Sequence, residues 1–330
     1  MTATPIEPIA AKLRGCRRLA ITSHLRPDGD SLCTSLALAL ALEQMGKAVE
    51  IVNTDKVPVP FDAFPATARI RIGQIPAGVH DAVILLECAD VSRSGQTAID
   101  AAFKINIDHH YTNDRYADIN WVDPDASAVG ELGAELCRAL PIVLTPEIAG
   151  FLYCAIVSDT GSFQFSNTTA RAFGICRELV LAGANPVAVS EALYHTHRPE
   201  KIKLLGRVLS RLEMRAGGTI AVIPLFRSDL VELGLLEVDT EDITTLARSI
   251  RGVQAVLFFK EMDPGVFRVS IRSKGGAHAA RIAEHFGGGG HAHAAGFTVV
   301  GPFDRLVREV PETVERLIRS SSTPVAEPSS

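Results

Sequence analysis

The chain has 330 residues, 47% of them hydrophobic and 22% charged, which is close to ordinary globular usage and excludes wholesale disorder, collagen and coiled coil. At about 150 residues per domain, that length predicts two domains with room for buried cores. With 33 basic against 38 acidic side chains and a net charge of −5, a broad nucleic-acid-coating surface is excluded, while a small focused phosphate site is not.

In chain order, short apolar runs alternate with helical patterns through the first half, the signature of an α/β fold built on a parallel sheet with helices on its faces. Strands are expected at 19–22, 49–52, 82–86, 105–107 and 119–122. A strong helix over 31–45 is closed by Gly46, and weaker helices cover 126–140 and 146–157. Residues 168–193 read as two helices parted by Gly183-Ala184-Asn185-Pro186, and 199–215 as a basic amphipathic helix. After Gly217-Gly218 the pattern restarts, with strands at 219–224, 253–260, 266–272 and 297–300 and helices at 277–286 and from Asp304. The expected division is a first unit over 1–195, a linking helix in 196–216, a smaller α/β unit over 217–318 and a disordered Ser/Pro-rich tail over 319–330.

The six cysteines (Cys16, Cys33, Cys88, Cys137, Cys154, Cys176) include no Cys-x-x-Cys pair, so they read as reduced, buried thiols. The longest apolar stretch, 36–42, is far short of the roughly 20 residues of a membrane span, and the N-terminus lacks a basic-then-apolar leader. The expectation is a cytoplasmic protein with no membrane partner. Charge is uneven: residues 1–195 hold 15 basic and 22 acidic side chains, a balance of −7, and 196–330 hold 18 and 16, a balance of +2. The acidic half is where cations belong.

After the first strand comes His24-Leu25-Arg26-Pro27-Asp28-Gly29-Asp30-Ser31. A histidine and two carboxylates at the C-terminal end of a sheet strand sit where open α/β folds place their sites. Gly29 allows the tight turn and Pro27 fixes its approach, although Asp30 or Ser31 could equally cap the next helix. The third strand ends in Glu87-Cys88-Ala89-Asp90 and the fourth in Asp108-His109-His110, and an apolar helix runs into Ser158-Asp159-Thr160-Gly161. Three of these segments alone have an ordinary explanation as a cap or turn, whereas two adjacent histidines after a carboxylate, as in Asp108-His109-His110, are rarely just core residues. All four deliver Asp, Glu or His at the C-terminal side of an apolar element, which argues against coincidence. Oxygen and imidazole donors without thiolates favour Mn²⁺, with Mg²⁺, Fe²⁺ and Co²⁺ open. So many donors suit two ions sharing a carboxylate, the arrangement that supports phosphoryl transfer.

In the second unit, the glycines before His291 would let backbone N–H groups approach an anion, and Arg272 at a strand end offers a planar fork for phosphate. His278 and His293 have no assigned role and read as surface residues.

The series His24-x-x-Pro27-Asp28-Gly29-Asp30, a strand-end acid, Asp108-His109-His110 and Asp159-Thr160-Gly161 resembles the DHH phosphoesterase superfamily. Its members include RecJ-type exonucleases, family II pyrophosphatases and the nano-RNase/pAp-phosphatase (NrnA-type) enzymes. Ser270-Ile271-Arg272-Ser273 and the segment from Gly287 to Phe297 resemble the DHH-associated C-terminal domain, so the likeness spans roughly residues 15–315. It implies a catalytic domain and a substrate-binding domain with the active site in a cleft between them. His24 and Asp28 would hold one metal, and Asp30, His109 and Asp159 the other. The family's bridging position falls on Glu87 rather than the usual Asp, with Asp90 as the alternative bridge or a catalytic neighbour. His110 would orient the cluster or contact the phosphate. Arg272, Ser273, Gly288, Gly289, Gly290 and His291 would bind substrate.

The implied activity is hydrolysis of short oligoribonucleotides such as pApA, and of 3′-phosphoadenosine 5′-phosphate, by a hydroxide bridging two metals. The alternatives are a cyclic-dinucleotide phosphodiesterase, or a catalytically impaired nucleotide-binding regulator suggested by Glu87. Members are often dimers, so the resemblance leaves a homodimer open.

Overall fold

The computed structural model describes residues 5–99, 102–195, 198–236, 238, 240–290 and 293–321. The chain divides into two compact units, Met1–Thr196 and His197–Ser330.

The first unit carries a six-stranded parallel sheet: β1 (Arg18–Ser23), β2 (Ala48–Asn53), β3 (Ile70–Ile72), β4 (Ala82–Leu86), β5 (Lys104–Asp108) and β6 (Ile119–Val122). Their order is β3-β2-β1-β4-β5-β6, every neighbouring pair parallel. The chain runs outward in opposite directions from the central pair, so the C-terminal ends of β1 and β4 flank the topological switch point. The expected alternation holds because the central strands β1, β4 and β5 are buried on both faces, as in the wholly buried Ala-Val-Ile-Leu-Leu of β4.

The faces are covered unequally. Leu19, Ile21, Ile84 and Leu86 point into the larger core, which takes side chains from α1 (Ile6–Gly15), α2 (Gly29–Gln44), α3 (Val129–Ala139), α4 (Pro146–Asp159), α5 (Ala170–Leu181) and α6 (Pro186–Tyr194). On the other face Ala20, Val83 and Leu85 meet Ile75, Ile99, Val91 and Tyr116, which come from connecting segments. α2 is apolar nearly all round because it lies against the sheet and against α3 and α4. α1 and β3 had no expectation; only Ile70 of the three-residue β3 is buried, too short a run to register as a period.

The second unit has a mixed sheet of β7 (Glu213–Arg215), β8 (Ile220–Leu225), β9 (Ala255–Asp263), β10 (Val266–Ser273), β11 (Gly289–Gly290) and β12 (Ala294–Val300), ordered β11-β12-β10-β9-β8-β7. Strict alternation feeds two cores. Ile220, Val222, Leu257 and Phe259 face α10 (Ala279–His285) and α11 (Phe303–Ser321), while Ala221, Ile223, Val256 and Phe258 face α7 (Pro199–Leu209), α8 (Arg227–Leu233) and α9 (Glu241–Arg248). α11 buries Leu306, Val310, Val314 and Ile318, one per turn. The expected helix over 199–215 ends at Leu209, because 213–215 pairs with Ile220, Ala221 and Val222 as an edge strand; tertiary pairing overrides the helical pattern there. The expected tail at 319–330 begins inside α11, and residues 322–330 lie outside the described residues. Among the described residues no single helix is long and apolar enough to cross a membrane.

Candidate active site

Four elements of the first unit end at one place. After β1, His24 turns its Nδ1 to the carbonyl of Leu25 at 2.8 Å, which leaves Nε2 aimed away from the backbone. Asp28 caps α2: one carboxylate oxygen accepts from Ser31 N–H at 3.1 Å, and the Ser31 hydroxyl accepts from Asp28 N–H at 3.2 Å. The other oxygen, Oδ2, lies 3.6 Å from His24 Nε2. Gly29 is required by close approach, since a Cβ there would meet Ser158 Oγ and the Phe61 ring at 2.3 Å. This seats the turn against the end of α4, which carries Asp159.

Asp30 is buried and faces the start of α3. Its carboxylate accepts from the backbone N–H groups of Val129 and Gly130, the latter at 2.8 Å, and from Thr34 Oγ1 at 3.2 Å. Two donors that a helix start leaves without partners are thereby satisfied by a charge that the helix dipole favours.

Glu87 follows β4 with φ of 56°, a left-handed conformation that is costly for a residue with a Cβ and is found where strain serves a site. Its side chain is 2% exposed, and neither carboxylate oxygen has a hydrogen-bond partner. Oε2 lies 3.3 Å from His24 Nε2 and Oε1 lies 3.8 Å from His109 Nε2. Asp90 is placed elsewhere, capping a short 3₁₀ turn by accepting from Arg93 N–H at 3.1 Å and from the Ser92 hydroxyl.

After β5, Asp108 is a buried hub. Oδ1 accepts from His109 N–H, His110 N–H and His110 Nδ1 at 2.7, 3.0 and 2.7 Å, and Oδ2 accepts from Asn113 at 2.6 Å. His110 therefore presents Nε2 outward on a side chain 45% exposed. His109 holds Nδ1 3.1 Å from the carbonyl of Ala126, and its Nε2 lies 3.7 Å from Asp159 Oδ2.

Sequence reasoning missed the residues that hold these ligands. Asn167 donates to the carbonyls of Ser127 and Asp159 and to Asp159 Oδ2, at 3.0, 3.2 and 3.4 Å. Buried Glu131 accepts from Ser127 N–H at 3.1 Å and lies 3.2 Å from Arg171. The segment whose Ala126 carbonyl orients His109 is thus pinned from two sides. Asp108 was in view as part of the motif; Asn167 and Glu131 carry no local signal, because they act across 40 and 4 residues through the backbone of one loop.

Two groups of possible ligand atoms result, each within 4.8 Å: His24, Asp28 and Glu87, and Asp30, Glu87 and His109. Glu87 belongs to both. Asp159 adjoins the second through His109. The fit to divalent ions rests on Glu87: a buried carboxylate with both oxygens unpaired, each facing an imidazole nitrogen freed by a backbone carbonyl on the other side of the ring, has the orientation of a bridging ligand.

Electrostatics say the same. Burial, then the charges of Asp28 and Asp30, push the Glu87 carboxyl well above the ordinary range. Burial and the Asp30 charge push Asp159 up to about 7. Burial works against a charged His24 and a charged His109, yet Asp28 beside the first and Asp30 with Asp159 beside the second hold both up. Asp28, despite its burial, is held down to about 2 by His24. Without ions the cluster therefore retains protons near neutrality, and ligation must displace them. Apparent Mn²⁺ affinity is expected to rise with pH through about 7, by about tenfold per pH unit for each proton displaced. Titration calorimetry in buffers of different ionisation enthalpy would measure the protons released, and a pH-independent affinity between pH 6 and 8 would refute this reading.

In the second unit, Arg272 is partly exposed and donates to the carbonyl of Ile271 at 3.1 Å. Ser273 is buried and donates to the carbonyl of Ala277 at 2.7 Å. Gly288 and Gly290 are explained by close packing on β12, since a Cβ would meet the Gly296 carbonyl at 2.2 Å and the Ala295 Cα at 2.5 Å respectively. Gly289 has open space around it. His291 lies outside the described residues.

The DHH family, N-terminal domain, matches residues 18–156, and the DHHA1 domain matches residues 234–320. The bifunctional oligoribonuclease and PAP phosphatase NrnA of Thermus thermophilus is 32% identical over 301 residues, 90% of each chain. The Bacillus subtilis protein of the same name is 26% identical over 284 residues, 84% of this chain and 87% of its own. An exopolyphosphatase-related protein of Bacteroides fragilis superposes with a TM-score of 0.87 at 22% identity, covering 98% of this chain and all of that one, and so shares the fold. By these matches the chain belongs to the DHH phosphoesterase family with a DHHA1 domain, the family of the NrnA oligoribonuclease and PAP phosphatases.

Proposed function

We propose that the protein is a metal-dependent phosphoesterase that hydrolyses short oligoribonucleotides and 3′-phosphoadenosine 5′-phosphate. The observation that carries this reading is Glu87, whose two unpaired, buried oxygens face one imidazole each. The substrate class follows the relatives' activities. His24 and Asp28 would hold one divalent ion and Asp30, His109 and Asp159 a second, with Glu87 between them. Mn²⁺ best suits this mixture of carboxylate and imidazole donors. When bound, two such ions lower the pKa of water and offset the charge that develops on phosphorus.

The chain's own residues do the remainder. Asp108 fixes His110 by its Nδ1, so His110 Nε2 is turned outward, where it would contact the substrate phosphate. Arg272 supplies a planar fork for the substrate phosphate, with Ser273 beside it in sequence, and the Gly288–Gly290 backbone and His291 come from the segment that follows α10. The six free, buried cysteines suit a reducing cytoplasm.

Mn²⁺-loaded protein is expected to cleave pApA, a short RNA and 3′-phosphoadenosine 5′-phosphate, and pyrophosphate poorly; cleavage of none of the first three would overturn the reading. Arg272→Ala should raise KM for these substrates by roughly tenfold or more with a smaller change in kcat. An unchanged KM would remove Arg272 from the substrate site.

A further inference from the structure

His278 and His293 were expected to be plain surface residues. Both are exposed, but each stands on fixed backbone: Ala277 and Ala279 flank His278 and are buried, and Ala295 anchors the strand that follows His293. Their rings are inclined by only 15°, with centroids 6.4 Å apart. Rings in direct face contact approach to about 3.5–4.0 Å between carbons, so two imidazoles with centroids 6.4 Å apart do not cover one another. That centroid separation is close to twice the ~3.4 Å repeat of stacked bases, as for two rings that take one planar base between them.

One wall is held rigidly. The Ser273 hydroxyl gives its proton to the Ala277 carbonyl, so at 3.4 Å it accepts from His293 Nδ1. Ser273 N–H donates to the His293 carbonyl at 3.0 Å. Ser273 is 2% exposed, so a buried side chain fixes the plane of an exposed ring and also ties down the residue before His278. Arg272 is the adjacent residue of β10, opposite Ala294. Between the walls' anchor points lie Gly275 and Gly276, around which a Cβ would find open space.

We infer that His278 and His293 form a slot for the nucleobase of the nucleotide whose phosphate Arg272 holds, which rests on the functional reading above. Imidazole stacks on any base face, so the slot selects for the presence of a base and is tolerant of its identity. Ser273 then acts as the positioning residue of the slot.

The test uses the full chain and 2-aminopurine ribonucleoside 3′,5′-bisphosphate, whose fluorescence is quenched by stacking. Quenching is expected in the unmodified protein, loss of it in the His278→Ala/His293→Ala double variant, and its retention in His293→Phe, which keeps a stacking face. In kinetics, the double variant should lose at least tenfold more kcat/KM on 3′-phosphoadenosine 5′-phosphate than on ribose 3,5-bisphosphate, which lacks the base. Equal losses on the two substrates, or quenching that survives in the double variant, would overturn the slot while leaving the phosphoesterase reading in place. If the unmodified protein turns over neither substrate, the phosphoesterase reading fails, and the equilibrium quenching still decides the slot.

Discussion

Replacing Glu87 by Gln is expected to abolish metal-dependent hydrolysis, by about 10³-fold or more, and to raise the melting temperature of the metal-free protein. Glu87 is 2% exposed, neither of its oxygens accepts a hydrogen bond, and burial with two neighbouring carboxylates pushes its pKa well up. A carboxyl whose folded pKa is raised contributes its full stability below the unfolded value. That contribution is lost as pH climbs through the folded value. Gln never ionises, and its amide can donate to His24 Nε2, whose Nδ1 is committed to the Leu25 carbonyl. A gain of about 1–3 kcal/mol is expected at pH 9, or roughly 3–10 °C for a unit of this size, shrinking towards pH 5. Differential scanning calorimetry with and without Mn²⁺ would check it. A metal-free Glu87→Gln protein that melts lower than the unmodified protein at pH 9 would contradict a ligand held in strain for ions.

Asp30→Ala should abolish turnover to the same extent with the opposite effect on stability. The Asp30 carboxylate satisfies the Val129 and Gly130 N–H groups at the start of α3 and accepts from Thr34. Alanine leaves two buried backbone donors unpaired, at about 1–3 kcal/mol each, and removes a favourable charge from a helix start. A loss of about 2–5 kcal/mol is expected, or roughly 5–15 °C. Asp30→Asn, which keeps one acceptor oxygen, should recover part of the stability and none of the turnover. If Asp30→Ala melted like the unmodified protein, the α3 contacts would not be supporting Asp30 as described. Burial pushes both carboxyls up, so the two candidate ligands are separated by their partners: Asp30 satisfies backbone donors of α3 that Ala would leave unpaired, and Glu87 satisfies none.

Much of the candidate site was legible because each candidate ligand sits at the end of, or just past, an apolar element that announces itself. His24, Asp28 and Asp30 follow the buried run of β1, Glu87 follows β4, His109 follows β5, and Asp159 closes α4. The choice between Glu87 and Asp90 was not legible, since both are acids within three residues of one strand end. The backbone separates them: left-handed φ at Glu87 turns its side chain in, while Asp90 is committed to the turn that it caps. The glycine run was legible as a feature but not in its cause, because Gly288 and Gly290 answer to the backbone of β12, a neighbour that local sequence does not specify.

By itself the amino-acid order determined the two α/β units, the parallel character of the first sheet and the four segments that carry the candidate ligands, because apolar periodicity and strand-end punctuation are local properties of the chain. Only the tertiary structure decided which strand ends are neighbours, that Glu87 faces both histidines, that Asn167 and Glu131 pin the loop behind His109, and that two histidines 15 residues apart stand 6.4 Å from each other. Those relations depend on strand order, on single backbone torsions and on hydrogen bonds across long sequence separations. No window of local sequence contains them.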